Sequence, residues 1–281
     1  MCDTCGCNLT HGNEHLIRPG GKLEITASGR EAVSVLHGLL EENDHAARHN
    51  RAHFDSHGVF AVNLMSSPGA GKTALLEATI EALGGSLSMA VIEGDLETEN
   101  DAERIRRHGV PAVQIATGSA CHLDAHMVHQ ALHNLDLAGL DLVFIENVGN
   151  LVCPASFDLG QHANVALLSI PEGDDKPAKY PVMFRTADLV MLSKIDLLPI
   201  LDDFDPERAE HYLRDLANTA PVIRASSKSG VGIDHWLQWL RERVELRRAA
   251  MPSPGLPADH RHHAHDHRQD SGRAGAQRRE E

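Results

Sequence analysis

Apolar runs are short throughout this chain, and none approaches the roughly 18 residues that a membrane-spanning helix requires. The start carries no basic stretch followed by an apolar one, so no secretory signal is expected. Positive charge is also in short supply. Lys and Arg number 26 against 40 Asp and Glu, a formal net charge of −14 with His neutral. A general nucleic-acid binder needs a basic face, and this balance excludes one. Cysteine is scarce, with five residues in 281, and no internal repeat is evident. A reducing, cytoplasmic compartment is therefore expected, one in which thiols stay available for metals.

Three of the five cysteines, Cys2, Cys5 and Cys7, crowd the amino-terminal end. A frayed, solvated terminus has no core for them to pack in. Thiols at that density are soft ligands for nickel, copper(I) or zinc. With Met1 removed, the α-amine of Cys2 would add a nitrogen to three sulfurs, a set suited to the square plane that Ni²⁺ favours. A disulfide or an incidental cysteine pair is the bland alternative. Histidine, by contrast, is abundant, with 20 residues. His45, His49, His53 and His57 recur four apart, which on a helix gives a drifting stripe whose neighbouring pairs can share a metal. From Met251 the chain is rich in Pro, Gly, Arg and His, with His260, His262, His263, His265 and His267. Such a segment has little apolar surface to bury and predicts a disordered tail, with histidines that bind metal loosely or simply face solvent. The organisation expected is an arm and linker over 1–27, one large α/β domain over 28–250, and the tail over 251–281.

The domain alternates helical and β patterns. An amphipathic helix is expected from Ser28 to about Asn50, on Val33, Leu36, Leu39 and Leu40. Short apolar runs at Val59–Met65, Ser88–Ile92, Ala112–Ala116, Leu142–Ile145, Val165–Ile170, Leu189–Leu192 and Val222–Ala225 read as buried strands. Helices are expected over 73–83, 98–108, 120–134, 206–218 and 233–248. The fold class is α/β, a doubly wound, mostly parallel sheet that places ligands at the carboxyl ends of its strands.

The segment Ser67-Pro68-Gly69-Ala70-Gly71-Lys72-Thr73 follows an apolar strand and opens a helix, the setting of a phosphate-binding P-loop. Gly69, Ala70 and Gly71 let backbone N–H groups approach phosphates, and the helix dipole favours the anion. Lys72 is expected at the β- and γ-phosphates and Thr73 on Mg²⁺. Ser66 stands where the usual pattern has glycine. Ser193-Lys194-Ile195-Asp196 resembles the guanine-selecting Asn-Lys-x-Asp motif. Asp196 can accept from guanine N1–H and N2–H₂, and the Lys194 stem can lie along the ring. Ser226-Ser227-Lys228 is placed to meet the guanine oxygen. Asp95 and Glu146, at two strand ends, are candidates for further Mg²⁺ ligation. Gly149 can offer its N–H to the γ-phosphate, and Glu93 is a candidate for orienting water or for a structural role. Lys72, Thr73, Asp95 and Glu146 thus form the expected catalytic set. The sequence shows no certain arginine finger and no water-positioning glutamine, so slow turnover is expected.

Cys121, with His122 at the expected start of a helix, and Cys153, four residues past Gly149, suggest an incomplete tetrahedral or trigonal metal site. A symmetric partner could complete it, and buried structural cysteines are the alternative. A metal held beside a segment that senses the γ-phosphate can be released or reshaped on hydrolysis.

Together these residues resemble the HypB family of GTPases, which help insert nickel into nickel–iron hydrogenase. The resemblance rests on Cys-x-x-Cys-Gly-Cys at the start, the P-loop, Glu-Gly-Asp at 93–95, Glu-Asn-Val-Gly-Asn-Leu at 146–151, the Cys121-His122 and Cys153 set, and Glu-Gly-Asp-Asp-Lys-Pro at 172–177. It covers nearly the whole chain except the tail. It implies a GTP/GDP-binding, Mg²⁺-dependent slow GTPase that forms a homodimer with GTP bound. It also implies a nickel site at Cys2, Cys5 and Cys7, and a nickel or zinc site at Cys121, His122 and Cys153. The partners implied are a HypA-type zinc protein, the SlyD isomerase and, indirectly, the hydrogenase large subunit. Lys176 and Lys179 are candidates to reach phosphate, across the dimer or within it, and the histidine clusters suggest added nickel storage. Competing readings are a nickel buffer with an uncoupled GTPase, the related urease nickel GTPase (UreG), and a small-molecule P-loop kinase.

Overall fold

The structure, a computed structural model, describes residues 30–95, 100–118 and 120–250, with side chains from residue 40 onward. Cys2, Cys5 and Cys7, the expected arm and the expected histidine tail lie outside the described residues. Seven strands form one sheet: β1 (Phe60–Ser66), β2 (Met89–Asp95), β3 (Ala112–Ala116), β4 (Leu142–Glu146), β5 (Ala163–Ser169), β6 (Leu189–Ser193) and β7 (Val222–Arg224). Their order is β3-β2-β4-β1-β5-β6-β7. Every pair is parallel. Chain order reverses at β1, between β4 and β5, so the crevice for a ligand opens at the carboxyl end of β1.

Eight α-helices are described, α1 (Arg30–His57), α2 (Lys72–Leu83), α3 (Asn100–Arg107), α4 (Ala125–Leu132), α5 (Lys176–Lys179), α6 (Pro181–Arg185), α7 (Pro206–Asp215) and α8 (Ile233–Ala250), with short 3-10 helices at Cys153–Ser156, Ile170–Glu172 and Ile195–Leu197. Alternation along β1 divides the core into layers, as a two-period strand must. Phe60, Val62 and Leu64 pack with Leu75 and Ile80 of α2 and Trp236 and Leu240 of α8. On the opposite face Ala61 joins Phe54 of α1 and Val128 of α4. Met65 joins Phe184 of α6 and Leu213 of α7. The indole N–H of the buried Trp236 donates to Thr79 Oγ1 at 2.8 Å, so its polar end is satisfied inside the core. Among the described residues no helix is long and apolar enough to cross a membrane.

The short α5 and α6 have no counterpart among the expected helices, α7 stops at Asp215 rather than residue 218, and two helices differ by five residues or more at one end. The first runs to His57 rather than Asn50. Beyond Leu40 its buried residues are not leucines but Asn43, Ala46, Ala47, Asn50 and Phe54. The asparagines are hidden because they hydrogen-bond to neighbouring backbone. Asn43 Oδ1 accepts from Ala125 N–H at 2.9 Å, and Asn50 Nδ2–H donates to the Ala125 and Leu159 carbonyls at 2.8 and 3.0 Å. The fourth helix starts at Ala125 rather than residue 120, because Asp124 is its N-cap and accepts from Met127 N–H at 2.8 Å. Cys121 and His122 therefore sit on the loop that enters α4, not on its first turn.

Candidate functional site

The P-loop joins β1 to α2. Gly71 takes a left-handed φ of 102° immediately before α2, a conformation that suits glycine. Ser66, the departure from the usual glycine, is the last residue of β1 and needs no special backbone. Its hydroxyl donates to the Ser67 carbonyl at 2.7 Å and accepts from Lys72 Nζ at 3.3 Å. Ser67, expected at the phosphates, directs its own hydroxyl to Glu172. Glu172 also accepts from the Ser169 backbone N–H at 2.9 Å, which ties the P-loop to the end of β5.

A cleft of about 370 Å³ opens above this loop. Lys72, Thr73, Asp95, Glu146, Gly149 and Arg104 are among its walls. Thr73 Oγ1 donates to Glu146 Oε1 at 2.9 Å, and Lys72 Nζ lies 3.8 Å from the same oxygen. Glu93 and Glu146 are direct partners in the β2–β4 register, so their carboxyls stand side by side. Both are buried. Burial, then the adjacent Glu146 charge, push the Glu93 carboxyl far above the usual range, so Glu93 is protonated. Burial raises Glu146 too, opposed first by the Lys72 charge. The protonated Glu93 hydrogen-bonds to the Glu146 carboxylate, and neither Glu146 Oε2 nor Glu93 Oε2 has a further partner among the described residues. Gly149 packs so closely on the P-loop that a Cβ there would lie 2.8 Å from Pro68 Cα and N. Arg104, which the sequence reading did not single out, is held by Glu77 (3.0 and 2.6 Å) and Asp101 (2.8 Å).

A second pocket of about 260 Å³ adjoins the cleft through Gly71 and Ala74, and Lys194, Asp196, Ser227 and Lys228 line it. Lys194 adopts a left-handed φ of 60° and donates from Nζ to the Gly69 carbonyl at 2.6 Å. Ser193, which replaces the usual asparagine, donates to the Ala70 carbonyl at 2.7 Å and anchors this loop to the P-loop. Asp196 Oδ1 accepts from the buried Ser226 hydroxyl at 2.6 Å, which fixes the carboxylate at the pocket.

Cys121, His122 and Cys153 converge, with one ligand atom from each lying within 4.8 Å of the others. Cys121 Sγ lies 3.8 Å from His122 Nδ1. Burial holds the His122 pKa below its ordinary value despite Asp124, so its ring is neutral and able to ligate. The ring stacks on Phe157 at 4.1 Å. Two thiols and an imidazole suit a borderline or soft divalent ion. Asn147, next to Glu146, links this cluster to the cleft, and nothing in its type or spacing marked it for that role. Its Oδ1 accepts from Leu123 N–H (3.1 Å) and Val148 N–H (3.0 Å). Asn150 Nδ2–H donates to the Cys121 carbonyl at 3.2 Å. Of the two candidate lysines, Lys179 is paired with Asp175. Lys176 lies 5.7 Å over the Tyr180 ring, in a pocket shared with Pro68 and Gly149.

The family model for the CobW/HypB/UreG nucleotide-binding domain matches residues 60–224. The hydrogenase maturation factor HypB of Azotobacter vinelandii is 56% identical over 209 residues, which cover 74% of this chain and 69% of that protein. The factor of the same name from Escherichia coli K12 is 48% identical over 230 residues, covering 82% and 77%. The crystal structure of HypB from Helicobacter pylori in complex with nickel matches with a TM-score of 0.70 at 39% identity, covering 76% of this chain and 100% of that one. In sequence and in fold, the chain belongs to the CobW/HypB/UreG family of nucleotide-binding proteins, and within it to the HypB hydrogenase maturation factors.

Proposed function

We propose that this chain is a GTP-hydrolysing nickel metallochaperone, in which nucleotide state controls a metal held at Cys121, His122 and Cys153. One observation carries the reading. A single continuous segment, Glu146 to Cys153, runs from the phosphate cleft to the thiol–imidazole cluster. Asn147 and Asn150 bind it to the loop bearing Cys121 and His122. A shift of Gly149 against Pro68 therefore moves ligands of the metal.

Guanine selection is assigned to Asp196, held by Ser226, with Lys194, Ser227 and Lys228 around the ring. Lys72, Gly149 and the amides of Gly69, Ala70 and Gly71 bind the phosphates and stabilise charge on the transferred group. The cleft suits Mg²⁺. Its donors are hard oxygens, and among the described residues the buried Glu146 Oε2 has no partner besides the Glu93 carboxyl. Thr73, Asp95 and Glu146 would hold the ion. Bound there, it would neutralise phosphate charge and orient the γ-phosphate. The homodimer is supported by Val152 and Val182, exposed by 48% and 49%, Val152 in the pocket with Lys176 beside the P-loop. A HypA-type zinc protein, SlyD and the hydrogenase large subunit are the proposed partners, and the cytoplasm is the proposed compartment.

The test is GTP and ATP hydrolysis by the purified chain with Mg²⁺. Expected is slow turnover of GTP, well below the ~1–100 s⁻¹ of kinases. Asp196→Ala should abolish the preference for GTP. Equal turnover of ATP, or a kinase-like rate, would contradict the reading.

A further inference from the structure

The one amide side chain of β1, Asn63, is fully buried in the middle strand of the sheet. It shares a face of the strand with Ala61 and Met65, which belong to two different layers of the core. Asn63 therefore sits at the seam between the layer of α1 and α4 and the layer of α6 and α7. An amide in such a place is costly unless it is hydrogen-bonded, and Asn63 is bonded through both its nitrogen and its oxygen. Its Nδ2–H donates to Asn164 Oδ1 at 3.0 Å, across the register that pairs β1 with β5. Its Oδ1 accepts from Asn147 Nδ2–H at 3.2 Å. Gln161 Nε2–H extends the chain by donating to the same Asn164 oxygen at 3.0 Å.

Backbone groups fix the direction of this chain from both ends. At one end Leu159 N–H donates to Gln161 Oε1 at 2.8 Å. Gln161 thus turns its nitrogen to Asn164, Asn164 offers its oxygen, and Asn63 must donate. At the other end the N–H groups of Leu123 and Val148 donate to Asn147 Oδ1. Asn147 thus turns its nitrogen to Asn63, whose oxygen must accept. The two deductions agree, and turning over any one of these amides would set donor against donor or oxygen against oxygen. A polar network satisfied in a single arrangement holds its members rigidly. What it holds at the Asn147 end is the junction of two loops, since Leu123 follows His122 and Val148 precedes Gly149.

We propose that Asn63 is a positioning residue for the junction between the nucleotide segment and the metal loop. By fixing which way Asn147 faces, it keeps one oxygen bridging the Cys121–His122 loop to the segment that bears Gly149. Without Asn63 the Asn147 side chain can turn, and the two backbone N–H groups lose their shared acceptor. The amide chain acts from inside the sheet, through Asn147 rather than on nucleotide or metal. Its effect on the metal rests on the coupling proposed above, whereas its hold on Leu123 and Val148 does not.

The experiment combines two readouts on the full chain. Amide hydrogen exchange is read residue by residue without nucleotide or metal, and Ni²⁺ affinity is measured in the GDP-bound and GTP-analogue-bound states. Asn63→Ala removes the acceptor of Asn147 Nδ2–H. Asn63→Asp keeps it, because a carboxyl buried there is protonated and can accept from Asn147 while donating to Asn164. Expected in Asn63→Ala is exchange about tenfold faster or more at Leu123 and Val148, relative to amides of α8. The nucleotide-dependent shift in Ni²⁺ affinity should be lost with it, and Asn63→Asp should restore both. Should Asn63→Ala fold poorly, Asn164→Ala, at a half-buried side chain, frees Asn63 and should show the same changes in smaller measure. Wild-type protection at Leu123 and Val148 in both alanine variants, or an undiminished nucleotide shift in Asn63→Ala, would overturn the proposal. Faster exchange in Asn63→Ala, beside a wild-type chain whose Ni²⁺ affinity ignores nucleotide, would uphold the role of Asn63 toward Asn147 and sink the coupling reading instead.

Discussion

Glu93 and Glu146, direct partners across β2 and β4, show how two identical side chains acquire different tasks from their surroundings. Both end up buried and adjacent, and only Glu146 has Lys72 and Thr73 against it. Glu93, desolvated and facing a carboxylate, stays protonated. Glu93→Gln should therefore change stability by less than about 1 kcal/mol, since it replaces one neutral polar group with another. Glu146→Gln should lose Mg²⁺-dependent nucleotide affinity. Thermal unfolding and GDP titration with and without Mg²⁺ separate the two, and a Glu93→Gln protein as defective as Glu146→Gln would refute the assignment. The motif departures were legible at this scale as departures, but not in their meaning. Ser66 and Ser193 replace expected residues, and each hydroxyl makes a bond that braces the P-loop. Such bonds join residues as much as 123 positions apart, which no local pattern encodes.

At the scale of elements, the loop after β4 runs from the phosphate cleft to the Cys121, His122 and Cys153 cluster. Gly149 has no room for a side chain against Pro68. Gly149→Ala should push the loop away and cost about 1–3 kcal/mol in nucleotide binding, the usual penalty of overpacking, measured by GTP-analogue titration. Wild-type affinity in that variant would show that the loop yields freely. Asn147→Ala leaves the buried Leu123 N–H and Val148 N–H without their acceptor. It should destabilise the protein by about 1–3 kcal/mol and blunt any effect of nucleotide on the metal, read from unfolding temperature and from Ni²⁺ affinity in both nucleotide states. Most elements were readable from short apolar runs, because strands buried on both faces are continuously apolar. The length of α1 was not, because its buried positions beyond Leu40 are filled by asparagine and alanine as well as Phe54. Nor was the start of α4, where Asp124 outcompetes the helical pattern read through Cys121.

Across the whole molecule, the carboxyl edge of the sheet carries the candidate chemistry while the opposite edge is locked by His162. Its Nδ1 accepts from Ala61 N–H and its Nε2–H donates to Asp55, each at 2.9 Å. Asp55 also pairs with Arg247 of α8. Burial, aided by Arg247, lowers the His162 pKa despite Asp55. The unfolded chain then binds more protons than the native one below the ordinary histidine value of about 6.5, so stability rises with pH through that window and falls as pH drops. Unfolding temperature should decline from about pH 7.5 to about pH 5.5, and His162→Gln should flatten the slope. A slope unchanged in that variant would assign the proton uptake elsewhere. The strand–helix alternation made the doubly wound class legible. The order of the strands was not, since it depends on which distant runs pair.

The central claim is that nucleotide state and the Cys121, His122 and Cys153 cluster are coupled through the segment from Glu146 to Cys153. The most direct test is Ni²⁺ affinity and stoichiometry, by chelator competition, in apo, GDP-bound and GTP-analogue-bound protein, repeated with Cys121→Ala/Cys153→Ala. The account predicts an affinity that shifts with nucleotide and a shift that vanishes in the double variant. The same affinity in every nucleotide state would contradict it and favour a nickel buffer with an uncoupled GTPase.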